Sequence, residues 1–223
     1  MSTYWTYYLL LSLLAYGSRQ PVLLALVVVF YLFRDRIPDP LVWLRTSGRI
    51  RSLKTDIAAN PANVTARRDL ASMYLDRRRP GAALRLLDEA RQRDPDDAEL
   101  LFLTGKARLM TGDAAGAVES LVESGNRNPK LRYGEAILVA AAALMKLGRW
   151  DEAEEALEHY LKQNRSSMEG CARLALVRRE KRDAEGQRRA IAEALSTWAQ
   201  IPAHSRRRQW RHWLRVRLLQ LGL

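Results

Sequence analysis

The chain has 223 residues, 48% hydrophobic, 28% charged and 8% aromatic, and a formal net charge of +12. This composition excludes a disordered or collagen-like chain. The charge is uneven: residues 1–60 hold seven Lys/Arg against three Asp/Glu, residues 203–223 hold six Arg and no acid, and the body between them carries only +2. A nucleic-acid binder would need a basic face on that body, which the balance does not supply. The single cysteine, Cys171, excludes an intramolecular disulfide.

In chain order, the first expectation is a membrane segment over residues 1–36. Residues 4–16 carry no charge and are rich in Tyr and Leu; Gly17, Ser18, Arg19, Gln20 and Pro21 interrupt; residues 22–33 are an apolar run. A helix of 13 residues reaches only about 20 Å, short of a bilayer core of about 30 Å. Two arrangements fit: a hairpin turning at residues 17–21, or one kinked helix over 9–33 with Arg19 at mid-depth. A cleaved signal peptide fits poorly, because no Lys or Arg precedes the apolar run. Arg34, Arg36, Arg45, Arg49, Arg51 and Lys54 follow the second run. The positive-inside rule then places the remainder in the cytoplasm. Arg outnumbers Lys 31 to 6, the bias of a GC-rich bacterial genome, so the membrane expected is a bacterial inner membrane.

Residues 37–60 read as a linker and an orphan helix. Pro38 and Pro40 end any membrane helix, and Ile50, Leu53 and Ile57 form a helical stripe over 47–59. Pro61, Pro95 and Pro129 then stand 34 residues apart. Such a period announces repeated supersecondary units. Counting back from Pro95, one register holds Leu70, Ala71, Tyr74, Ala83, Leu87 and Ala90. The same places before Pro129 hold Thr104, Gly105, Arg108, Ala117, Leu121 and Ser124. A third unit, 132–164, contains Ala141, Gly148, Trp150, Ala153, Leu157 and Tyr160; its glycine lies 36 residues after Gly112, so two residues are inserted near 129–132. A fourth unit, 168–197, keeps Leu174, Ala175, Ile191 and Ala194 but has Gln187 at a packing-alanine place.

This register resembles the tetratricopeptide repeat (TPR) family over residues 61–200. Arg67, where the family favours Trp, and Arg108, where it favours an aromatic, depart from it, the second weakening the packing case for the second repeat. The resemblance implies an all-α, TPR-type solenoid of helix–turn–helix repeats, here with an N-terminal transmembrane segment. It also implies a concave groove lined by the first helix of each repeat. By family position the candidate partner-binding residues are an apolar floor of Phe102, Leu109, Met110, Leu138 and Met145, rimmed by Arg68, Lys106 and Lys146. One TPR subgroup clamps a C-terminal carboxylate; Ser72, Leu103, Glu135 and Val139 depart from its clamp, which argues against that activity here.

Residues 201–223 read as a basic amphipathic helix. Trp210, Trp213, Leu214, Leu218 and Leu221 fall at helical spacing, opposite Arg207, Arg208, Arg211 and Arg215. Two roles fit: a cap on the solenoid, or contact of residues 205–221 with anionic lipid. No phosphate loop, nucleophile elbow or metal spacing occurs, and His159, His204 and His212 are dispersed, so neither an enzyme nor a cofactor is expected. The sequence thus reads as a membrane-anchored scaffold that binds a protein or peptide in its groove. The alternative is a regulatory or chaperone-like subunit docked on a membrane complex through its N-terminal segment.

Overall fold

The structure, a computed structural model, describes residues 40–221. The chain divides into two units, Met1–Gly48 and Arg49–Leu223, and the solenoid belongs to the second. Helix starts follow the capping side chains. After α1 (Pro40–Ala59), Asn63 caps α2 (Val64–Asp76) by accepting from the Ala66 amide at 2.9 Å. Pro80, which needs no amide partner, opens α3 (Pro80–Arg91). Asp97 caps α4 (Ala98–Thr111), and Asp113 caps α5 (Ala114–Arg127). Gly112, at φ 99°, supplies the left-handed residue that ends α4. The stack continues with α6 (Glu135–Lys146), α7 (Trp150–Gln163), α8 (Met168–Glu180) and α9 (Ala184–Gln200). After Ile201 and Pro202 the last helix, α10 (Ala203–Gln220), packs on α8 and α9.

The helices pair as α2/α3, α4/α5, α6/α7 and α8/α9, each pair resting on the next. Small side chains sit where the helices cross. Ala71, Ala83 and Ala90 are fully buried in the first pair. In the second, a Cβ added to Gly105 would lie 2.5 Å from Leu121 Cγ and 3.1 Å from the Ala117 carbonyl oxygen. Buried Ser124, at the place of Ala90, donates to the Ala98 carbonyl at 2.7 Å, so its hydroxyl is satisfied where a methyl would otherwise pack. At the N-terminal end, Ile50 and Leu53 of α1 close over Ala66 and Leu70. At the other end, Val216 and Leu219 of α10 join the core of α8 and α9.

Both arginine departures are integrated. Arg67 is buried, with Nε 2.8 Å from Glu89 Oε2 and Nη1 donating to the Pro61 carbonyl, so its stem fills space while its head remains paired. Arg108 donates to the Gly116 carbonyl and to Ser120 Oγ, each at 3.1 Å. It therefore ties α4 to α5, so the departure from the family pattern is accommodated in the packing of the second repeat. Arg178 repeats the device by donating to the Gly186 carbonyl at 3.2 Å.

The expectation of an N-terminal transmembrane segment is corrected. Among the described residues no helix is long and apolar enough to cross a membrane. Residues 4–33, which carry that expectation, lie outside the described residues. The fold is an all-α solenoid of helix pairs, and the readings that depended on the anchor, including inner-membrane residence and cytoplasmic orientation, find no support in it.

Candidate protein-binding groove

Successive first helices, α2, α4, α6 and α8, approach one another more closely than the second helices do, so they line the inner face of the stack. Cations bridge each step along it. Arg68 Nη1 of α2 lies 3.5 Å from Asp97 Oδ2, at the start of α4. Lys106 Nζ of α4 lies 4.0 Å from Glu135 Oε1 of α6, and Lys146 Nζ donates back to the Leu109 carbonyl at 3.2 Å. Arg173 Nη1 of α8 donates to the Leu138 carbonyl of α6 at 2.6 Å. Finally, His212 Nε2 of α10 stands 3.7 Å from Glu169 Oε2, and Gln209 accepts from the Met168 amide at 2.9 Å. Each bridge is part-exposed and contributes little alone, but the series fixes where the side chains of the inner face stand.

The two-residue insertion between the second and third repeats forms a left-handed turn. Arg132 (φ 48°, ψ 39°), Tyr133 (φ 57°, ψ 35°) and Gly134 (φ 77°, ψ 20°) follow one another in it. For the two non-glycine residues this backbone is costly and persists only when surroundings hold it. Asn164 Nδ2 donates to the Tyr133 carbonyl at 3.0 Å, and Arg132 pairs with Glu99. The turn leaves Tyr133 86% exposed and lays the Arg132 guanidinium 5.0 Å from the centre of the Phe102 ring.

That placement corrects the apolar floor. Phe102 is fully buried, and Leu138 is 6% exposed. The Phe102 ring is covered by Arg132 and by Lys106 Nζ at 5.9 Å. A molecule in the groove would meet those cations, not the ring. Of the other expected residues, Leu109, Met145, Arg68 and Lys106 are half-buried, while Met110 and Lys146 are exposed on neighbouring helices. Sequence reasoning missed Tyr133, whose signal was the insertion itself.

The far end of the inner face holds two recesses. One, of about 410 Å³, lies among Arg132, Tyr133, Leu138, Tyr160, Gln209 and His212. The other, of about 230 Å³, lies between α8 and α10 and is lined by Ala172, Arg173, Leu176, His212 and Leu218. Burial holds the His212 imidazole below its usual pKa, against the pull of Glu169 and with the help of Arg215, Arg173 and Arg211. Burial also pushes the Cys171 thiol up to about 11, which makes it a packing residue and not a nucleophile. Among the described residues no three His, Cys, Asp or Glu gather to hold a metal.

Two tetratricopeptide repeat family models match the chain, over residues 68–125 and 108–177. The matched residues, 68–177, are similar to TPR repeats. Among curated proteins none matches the sequence. Solved structures do. A crystal structure of MamA superposes with a TM-score of 0.65 at 23% identity, over 70% of this chain and 92% of that one. A second MamA structure gives 0.64 at 23% identity, over 76% and 92%. YrrB, titled a TPR protein with an unusual peptide-binding site, gives 0.60 at 14% identity, over 75% and 90%. At these identities the likeness is one of fold. None of these comparisons supports a membrane anchor.

The C-terminal helix also departs from the sequence reading. Lipid contact at residues 205–221 rested on one apolar face opposed to one basic face. The structure divides that apolar set: Trp213 turns toward the stack, stacked on Trp198 of α9 with ring centroids 5.6 Å apart, while Trp210, Leu214, Leu218 and Leu221 remain exposed. The helix caps the TPR stack, and the lipid contact is withdrawn.

Proposed function

We propose that this chain is a protein-interaction scaffold that holds a peptide segment of a partner along the inner face of its TPR stack. The observation that carries this reading is the cluster of adaptable side chains on adjacent first helices. Met110 is 38% exposed at the end of α4. Half-buried Leu109 precedes it, and Lys146 of α6 donates to the Leu109 carbonyl at 3.2 Å, which brings the helix end that carries half-buried Met145 beside it. Lys106 lies one turn back on α4, while Arg68 lies at the other end of that helix, 3.5 Å from Asp97. Methionine adapts to irregular peptide surfaces, and an apolar centre with a polar rim is the usual anatomy of a specific interface. Phe102 and Leu138 serve this site from below by fixing helix spacing. Tyr133, at the opposite end of the same helices, is an exposed aromatic, a residue type enriched among binding anchors.

The test is to select binding peptides from a random library on the fragment 49–223 and then measure their affinity for variants. Met110→Glu is expected to weaken the selected peptides by about tenfold or more, with an unchanged melt because Met110 is exposed. Peptides that bind this variant as well as the parent would overturn the reading.

A further inference from the structure

Helix α10 carries apolar side chains on two opposite sides. Trp213, Val216 and Leu219 serve the stack. Trp210, Leu214 and Leu218, spaced four apart, share the other side, and Leu221 extends it. Their exposures are 38%, 38%, 39% and 73%. A solenoid helix on which nothing further packs normally turns a polar face outward. This one presents an apolar stripe of three turns. Arginines edge the stripe: Arg211 and Arg215 each follow a stripe residue on one side, with the Arg211 guanidinium 5.8 Å from the Trp210 ring centre. Arg217 lies on the other side. The helix holds six arginines and no acid.

We propose that the outer side of α10 docks an acidic amphipathic helix of a partner protein, laid on the stack as one more helix. An apolar stripe at i, i+4, i+8 is what a helix-in-groove partner reads, and the arginine edges select carboxylates on that partner. A second copy of this chain packed α10 on α10 fails on charge, since it would bring six arginines against six with no acid on either side. An uncharged apolar helix would desolvate the arginines without pairing them. The stripe borders the recess between α8 and α10 through Leu218, but it lies on a different helix from Met110, Lys106 and Lys146, so either reading can fail without the other.

The probe is a labelled helical peptide of five turns with Leu at i, i+4, i+8 and i+11 and Glu on both edges, titrated by fluorescence anisotropy onto the full chain. Leu214→Glu is expected to weaken binding by about tenfold or more with the melt unchanged, since Leu214 is already exposed. Added salt should weaken binding, and a probe with Gln for Glu should bind about tenfold more weakly. Lys106→Glu with Lys146→Glu, on the inner face, should leave it unchanged. Should Leu214→Glu misfold, Leu218→Ala and Arg215→Gln replace it, each with a smaller weakening expected. The proposal is overturned if the probe does not bind, if it binds these variants as well as the parent, or if the inner-face pair abolishes it. It is also overturned if sedimentation reveals a dimer that Leu214→Glu dissolves. Pelleting of the chain with phosphatidylserine vesicles, dependent on Leu214 and without probe binding, would assign the surface to lipid instead.

Discussion

At the residue scale, two side chains decide how the second repeat holds together. Phe102 has no exposed surface, and replacing a buried Phe by Ala removes both transfer energy and packing. Phe102→Ala is therefore expected to cost about 3–5 kcal/mol of stability in a denaturant melt. A variant that keeps its melt and loses only peptide affinity would restore Phe102 to the groove floor. Gly105 makes the complementary case. Its added Cβ would press on Leu121 Cγ at 2.5 Å and on the Ala117 carbonyl oxygen at 3.1 Å. Leucine can shift but the carbonyl cannot, so Gly105→Ala is expected to cost about 1–3 kcal/mol; an unchanged melting temperature would show that the two helices can separate freely. The small residues at crossings were legible because they recur every 34 residues. The burial of Phe102 was not, because its covering guanidinium comes from Arg132, in an insertion that has no counterpart in the other repeats.

At the element scale, α7 and α8 are joined by a charged network. Glu154 accepts from Arg178 at 2.7 Å and from Lys181 at 2.6 Å; Arg178 also reaches Glu158 at 2.6 Å, and Lys181 reaches Asp151 at 2.7 Å. Burial works against the Glu154 carboxylate, but the hydrogen bonds from Lys181 and Arg178 outweigh it and hold the group below the usual Glu range. Glu154 thus binds its proton more weakly in the folded chain than in the unfolded one. Its contribution is complete above the ordinary Glu pKa and disappears as pH falls through the lowered folded value. Urea melts across the acid range should show stability falling there, and Glu154→Gln should flatten that limb; an identical pH profile would exclude Glu154 as its source. A second device was legible in the sequence once known. Arg108, Asp113 and Gly116 have the same spacing as Arg178, Asp183 and Gly186. In both, the Asp caps a helix by accepting from the glycine amide while the Arg reaches the glycine carbonyl. The division of the apolar set of α10 was not legible. Period alone finds a stripe, and only the neighbouring Trp198 shows that Trp213 leaves it.

At the scale of the whole molecule, each helix pair touches chiefly its neighbours, so stability propagates from one end to the other. The fragment Arg49–Leu223 contains the half of α1 that carries Ile50 and Leu53 and all of α10, and is expected to melt cooperatively with a strongly helical circular dichroism spectrum; a random-coil spectrum would show that residues 1–48 are needed to fold it. Ending the chain after Ile201 removes Trp213, Val216 and Leu219 from the last core. Hydrogen exchange is expected to rise first in α8 and α9 and least in α2 and α3; uniform loss of protection would mean the stack unfolds only as one block. A row of near-identical units also carries a hazard that a single domain lacks, since a unit can be fitted one place along from where it belongs. The left-handed turn answers that hazard. Only the true junction of the second and third repeats supplies Glu99, Phe102 and Asn164 together to receive Arg132 and Tyr133. A stack assembled one unit out of step would leave that turn without the partners that hold its unfavourable backbone. The insertion acts as a key cut for one lock, and it keeps the order of assembly legible to the folding chain.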